Sequence, residues 1–211
     1  MKLIYAVFAT FLAMAAFADT KVFDGDTLEI DGTVYRLNGI DAPEHGQLCG
    51  AWPCGQDATA ALVEIVNGRE VVCEAIGNDG YGRVIATCKV DGRDIGGEMI
   101  DKGPAWAFLK YSDAYAAEEL NAKSLATGIW SDDYEAPWDY RAKRWKSALA
   151  REQEAPADCP IKGNISRNGR IYHAPWSPWY DRTHIDIAKG ERWFCSETEA
   201  MAAGWRAPYW N

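Results

Sequence analysis

The chain has 211 residues, with 22 Lys and Arg against 31 Asp and Glu and a formal net charge of −9. That balance argues against tight, non-catalytic DNA binding through a basic surface. Beyond an opening apolar run, no stretch is long and apolar enough to cross a bilayer. The acidity is uneven. Residues 19–150 hold thirteen Lys and Arg against twenty-three Asp and Glu, whereas residues 151–211 hold eight of each.

In chain order, Lys2 precedes an apolar run over residues 3–17 that closes on Ala16-Phe17-Ala18. A short positive start, an apolar middle and a small-x-small end mark residues 1–18 as a signal peptide. The mature chain is expected to start near Asp19 and to be secreted or periplasmic. Residues 22–30 and 33–38 read as strands around Asp31-Gly32, a hairpin turn. A two-residue loop there pairs Thr27 with Arg36 and puts Arg36 on the face opposite Asp26. A bulge or strong twist is needed to bring both to one site. Residues 56–66 have the helical spacing Ala58, Ala61, Leu62, Ile65, with Gly68 as a stop. Strand-like runs at 70–75 and 83–90 flank Asp79-Gly80, and short helices are expected over 95–102 and 115–127. Five strands with a helix between the third and fourth give a β-rich α+β fold, an OB-fold five-stranded barrel with about three helices over residues 19–135.

Residues 136–158 form a charged helix and linker, with Arg141, Lys143, Arg144 and Lys146 expected on a solvated face. Residues 159–208 form a small Cys- and Trp-rich module, in which Trp176, Trp179, Trp193, Trp205 and Trp210 are expected to build a tiny core. Six cysteines in an exported chain point to three disulfides. Cys73 and Cys88 lie nearly symmetric about the turn at Asp79-Gly80, and Cys49 and Cys54 bracket a four-residue loop. Cys159 and Cys195 remain for each other. Cys159, His173, His184 and Cys195 could also be drawn as a zinc site, but their spacings fit no standard finger.

The chemistry concentrates between Asp24 and Glu44. Asp24-Gly25-Asp26-Thr27, Arg36 and Asp41-Ala42-Pro43-Glu44 place four carboxylates and an arginine within twenty-one residues. Gathered acids repel unless a cation lies among them, and a hard divalent cation such as Ca2+ prefers such oxygens. An arginine beside them suits a phosphate. Asp79-Gly80-Tyr81-Gly82-Arg83 supplies a second such arginine.

These segments, in this order, resemble the thermonuclease (staphylococcal nuclease-like) family. The carrying residues are Asp24-Gly25-Asp26-Thr27, Tyr35-Arg36-Leu37, Ile40-Asp41-Ala42-Pro43-Glu44 and Asp79-Gly80-Tyr81-Gly82-Arg83. The helix at 55–67 and Gly128-Ile129-Trp130 also match, and the likeness covers residues 21–133. The tail resembles a small module found after the nuclease domain in some exported bacterial relatives. The resemblance implies a calcium-dependent endonuclease acting on DNA and RNA with little sequence specificity and leaving 3′-phosphate ends. Asp26 and Asp41 would ligate Ca2+ through carboxylates and Ala42 through its carbonyl, where the family commonly has threonine. Glu44 would act on the attacking water, and Arg36 and Arg83 would bind the scissile phosphate. Tyr81 is a further candidate contact to substrate, and His45 is incidental. A monomer is expected, with the tail dispensable for chemistry and open to a cell-envelope ligand. The alternative is a non-catalytic exported OB-fold module that binds nucleic acid, polysaccharide or a protein partner.

Overall fold

The structure, a computed structural model, describes residues 20–80, 82–152 and 154–209. The signal peptide over 1–18, Asp19, Tyr81 and Trp210 lie outside the described residues.

The hairpin β1 (Thr20–Asp24) and β2 (Thr27–Ile30) opens the fold. The single strand expected over 22–30 is therefore corrected: Gly25-Asp26 is a turn, and the chain folds back on itself there. Gly25 is required at this bend because a β-carbon would lie 2.7 Å from the Ala42 side chain and 2.9 Å from that of Ala58. β3 (Thr33–Leu37) follows a tight turn in which Asp31 and Gly32 both have positive φ, as a type I′ hairpin requires. Next come β4 (Ile40–Asp41), α1 (Cys54–Val66), β5 (Val71–Asn78), β6 (Val84–Val90) and β7 (Arg93–Asp94). α2 (Ile95–Asp101), β8 (Trp106–Ala107) and α3 (Ala116–Ser124) complete the first unit.

The main sheet runs β1-β2-β3-β6-β5, with β7 added to β6, and β3 lies parallel to β6. α1 falls between the third and fourth long strands, and the unit is a β-rich OB-fold. Its core joins Leu28, Leu37, Ile40, Leu62, Ile65, Ala86, Val90, Ile95, Met99 and Ile100, the apolar faces of sheet, α1 and α2.

α4 (Pro137–Arg151) then leads to β9 (Ile161–Ser166), β10 (Gly169–His173), β11 (Arg192–Phe194) and α5 (Glu197–Ala202). The small sheet runs β10-β9-β11. Ile161, Tyr172, Phe194, Ala200 and Trp205 form its core, and Trp145 of α4 packs against it. Trp205 is the buried member of the described tail tryptophans; Trp176, Trp179 and Trp193 are half-buried.

All three expected disulfides are present: Cys49–Cys54, Cys73–Cys88 and Cys159–Cys195. Cys73 and Cys88 face each other directly across β5 and β6. Among the described residues no helix is long and apolar enough to cross a membrane, and no group of three or more His, Cys, Asp or Glu is arranged to hold a metal.

Candidate active site

The register Thr27↔Arg36 is the one expected from the turn at Asp31-Gly32. Asp26 still meets Arg36, because it sits in the turn before β2, where strand alternation does not apply. A register shift between Val22 and Asp24 and the bond from Leu37 N to Asp26 O (2.8 Å) fix that turn against β3. Arg36 Nη1 donates to Asp26 Oδ1, and Arg36 Nη2 donates to Asp41 Oδ1 at 2.8 Å. Asp26 Oδ1 also accepts from Thr27 Oγ1 (2.9 Å), and its Oδ2 accepts from Ala42 N (2.9 Å). β4 therefore brings Asp41 and Ala42 directly against the first hairpin.

Glu44 lies in the loop between β4 and α1. Gly55 at the start of α1 passes so close that a β-carbon there would lie 1.7 Å from the Glu44 carbonyl oxygen. Gln47, buried beneath, accepts from Glu44 N (3.2 Å) and donates to Glu135 O (2.7 Å). The Glu44 carboxylate accepts from Arg141 Nη1 at 2.8 Å, and Arg141 comes from α4. The same Nη1 reaches Asp41 Oδ1 (3.1 Å), and Arg141 Nη2 reaches Asp41 Oδ2 (2.7 Å). Arg36 and Arg141 thus clasp the fully buried Asp41 from two sides.

Arg83 stands at the entry to β6. Its Nε donates to Asp79 Oδ2 (2.6 Å) and its backbone N–H to Asp79 Oδ1 (2.9 Å). α5 rests on this turn, where Thr198 Oγ1 donates to Gly80 O. A cavity of about 530 Å3 joins these groups; Arg36, Glu44, Arg83 and Arg141 line it, together with Trp176 and Glu197 of the tail.

Burial pushes the Glu44 carboxyl up to about 7, with Arg141 opposing and the Asp26 and Asp41 charges adding to the rise. Burial likewise raises Asp26 to about 6 against the pull of Arg36. His45 is turned onto α1, with Nδ1 3.0 Å from Thr59 Oγ1, and burial lowers it to about 4. It is neutral at pH 7.

The donors are oxygens of the type a hard divalent cation takes, although among the described residues no three of the acids are arranged to hold a metal ion. Asp24, Asp26, Asp41 and Glu44 outnumber Arg36 and Arg141 by two formal charges, and the donors are oxygens. The carboxylates of Asp26 and Asp41 nevertheless have guanidinium partners in this arrangement. Asp26, Arg36, Asp41, Ala42 and Glu44 come together; Arg83, at the entry to the strand paired with β3, lines the same cavity as Arg36 and Glu44.

Arg141 escaped the sequence reading, which placed it on a solvated face. The signal was present in the spacing Trp138, Arg141, Arg144/Trp145, Ala148, one face of a helix. Trp138 stacks on Phe108 (centroids 5.5 Å apart, 8° between planes), and Ala148 is buried.

An OB-fold carrying this cluster at one end belongs to the staphylococcal nuclease homologue family, whose model matches residues 34–132. A second family model, described as ArfC, matches residues 139–207 and so contains Arg141. The succinoglycan biosynthesis protein ExoI of Rhizobium meliloti (strain 1021) is 39% identical over 118 residues, 52% of this chain and 62% of that protein. The probable staphylococcal-like nuclease CAN1 of Oryza sativa subsp. japonica is 34% identical over 109 residues, 50% of this chain and 31% of that protein. Protein ParB of Escherichia coli is 30% identical over 139 residues, 57% of this chain and 76% of that protein. The chain thus spans less than two-thirds of the length of the first two.

Proposed function

We propose that the chain is an exported, calcium-dependent endonuclease that hydrolyses DNA and RNA with little sequence specificity and leaves 3′-phosphate ends. The observation that carries this reading is the convergence of Glu44 and three arginines on one cavity in a nuclease-family fold, with the buried Asp26 and Asp41 bonded to two of those arginines. Asp26 and Asp41 would hold the calcium through carboxylates, with the Ala42 carbonyl beside them. The ion supplies Lewis-acid polarisation of a phosphate oxygen.

The chain's own residues do the rest. Arg36 and Arg83, both lining the cavity, bind the non-bridging oxygens of the scissile phosphate and stabilise the charge that grows on them. Glu44 takes the proton from the attacking water, and a carboxylate near 7 is matched to that task at neutral pH. The leaving group is the 5′-oxygen. The acidic surface keeps the general hold on polyanions weak, so that affinity resides in the site itself. The small-x-small end at Ala16-Phe17-Ala18 and the three disulfides support export to an oxidising compartment.

End-group analysis of digests of single-stranded DNA and RNA tests the reaction type. Fragments of both polymers should carry 3′-phosphates and 5′-hydroxyls. Fragments with 5′-phosphates would overturn the assigned leaving group, and intact polymers the nuclease reading.

A further inference from the structure

We propose that Arg141 is a positioning residue of this site, a cation-like clamp that holds Asp41 and Glu44 together until a divalent cation takes Asp41, after which it keeps Glu44. The proposal rests on the calcium reading of the preceding section and deepens it with a residue from outside the segment matched to the nuclease family.

The first support is lone-pair counting. A carboxylate oxygen offers about two acceptor positions. Asp41 Oδ1 accepts from both Arg36 and Arg141, and Asp41 Oδ2 accepts from Arg141. Asp26 Oδ1 accepts from Arg36 and Thr27, and Asp26 Oδ2 from Ala42 N. Each aspartate thus keeps one open position, on its Oδ2, and can offer a cation a single oxygen while both guanidiniums keep every contact. Fuller ligation through Asp41 requires one guanidinium to yield. Arg141 can yield at low cost, because its Nη1 already bonds Glu44 and so retains a carboxylate partner when Asp41 is surrendered.

The second support is that Arg141 provides all the hydrogen bonds to the Glu44 carboxylate among the described residues. Without it two buried acids would face each other with only Arg36 on Asp41. The orientation of Glu44 would then rest on its backbone alone.

The third support is the anchoring of α4 on both sides of Arg141. Trp138 stacks on Phe108 one turn before it, and Tyr140 Oη lies 3.5 Å from Gly46 O. One turn after it, Arg144 Nε donates to Pro175 O at 2.9 Å, and Trp145 enters the tail core. Arg141 is therefore presented by a fixed helix, and its guanidinium is half-shielded at the cavity wall.

The test compares the full chain with Arg141→Gln and Arg141→Lys, by calorimetric titration with calcium chloride alone and by steady-state hydrolysis of a short single-stranded DNA. Arg141→Gln should bind calcium about five- to a hundredfold more tightly, the usual span of coupling between ligands competing for one group. Its kcat should fall by about a hundredfold with KM little changed, because Glu44 is no longer aimed. Arg141→Lys keeps the charge but lacks the fork, so it should lie between the two on both measures. Equal or weaker calcium binding by folded Arg141→Gln overturns the proposal, as does a loss confined to KM, which would mark a phosphate clamp. If wild type binds no calcium, the cofactor reading falls together with the proposal. If calcium binds more tightly to Arg141→Gln but neither protein cuts DNA, the clamp stands and the nuclease reading falls.

Discussion

At the scale of single residues, the site sets buried acids against a limited number of guanidiniums. Glu44→Gln should lower kcat by about 10²–10⁴, the usual contribution of a positioned base. Circular dichroism should remain that of wild type. A near-wild-type rate would remove the role given to Glu44. The same carboxyl makes stability depend on pH when no cation is bound. Its folded value of about 7 lies above its ordinary 4.5, so the native state holds the proton more tightly than the unfolded chain. That stabilisation is complete below about pH 4 and is lost as pH rises through 7. In EDTA, the stability of Glu44→Gln relative to wild type should therefore shift in the variant's favour between pH 4.5 and pH 8. The shift should be on the order of 1–3 kcal/mol by urea unfolding. A gap that does not move with pH would show that Glu44 is not strained by burial. Asp26, Arg36, Asp41, Glu44 and Arg83 were legible in the sequence because each lies in a short run whose order is itself a signal. Their partnership was not legible, because the ladder Thr27↔Arg36 separates Asp26 from Arg36 on paper and only the turn at Gly25-Asp26 rejoins them.

At the scale of elements, the approach of α1 to the Glu44 loop is the tightest contact in the site. Gly55→Ala would force its β-carbon onto the Glu44 carbonyl, and backbone cannot yield as a flexible side chain can. The variant should lose about 1–3 kcal/mol of stability, typical of overpacking. Its kcat should fall by about a hundredfold through displacement of Glu44. Unchanged kinetics in Gly55→Ala would show that the loop adjusts and that its position is not set by α1. α1 itself was legible from its 3.6-residue spacing, and the fold class from strand count and helix placement. The boundary between β1 and β2 was not, because Gly25-Asp26 sits inside an otherwise continuous strand-like run. α4 was read as charged and solvated because its composition is, yet Trp138, Trp145 and Ala148 give it apolar contacts that composition hides.

At the scale of the whole molecule, the nuclease-like unit and the tail meet around one cavity. Arg141, Trp176 and Glu197 line it from beyond residue 135, and Thr198 touches the turn that carries Arg83. Tyr209 adds a bond to Glu29 (3.1 Å) on the first hairpin and a ring contact to Phe23 (4.8 Å). A chain ending after Ala150 keeps Arg141 but exposes Trp145 and frees the Arg83 turn. Its rate on a dinucleotide-scale substrate should fall at least about tenfold, given the sensitivity of positioned groups to small displacements. A rate equal to wild type, with the barrel folded by circular dichroism, would mean that the tail is dispensable for chemistry, as expected from the placement of every sequence-assigned catalytic residue between Asp26 and Arg83. The central claim is that the cluster of Asp26, Asp41, Glu44, Arg36 and Arg83 is a calcium-dependent hydrolytic site. The most direct test is the initial rate of single-stranded DNA hydrolysis by protein starting at Asp19, in calcium and in excess EDTA. The account predicts rapid cleavage in calcium, abolished by EDTA and restored when calcium is added back. A rate undiminished in EDTA, or no cleavage by folded protein in calcium, would contradict it.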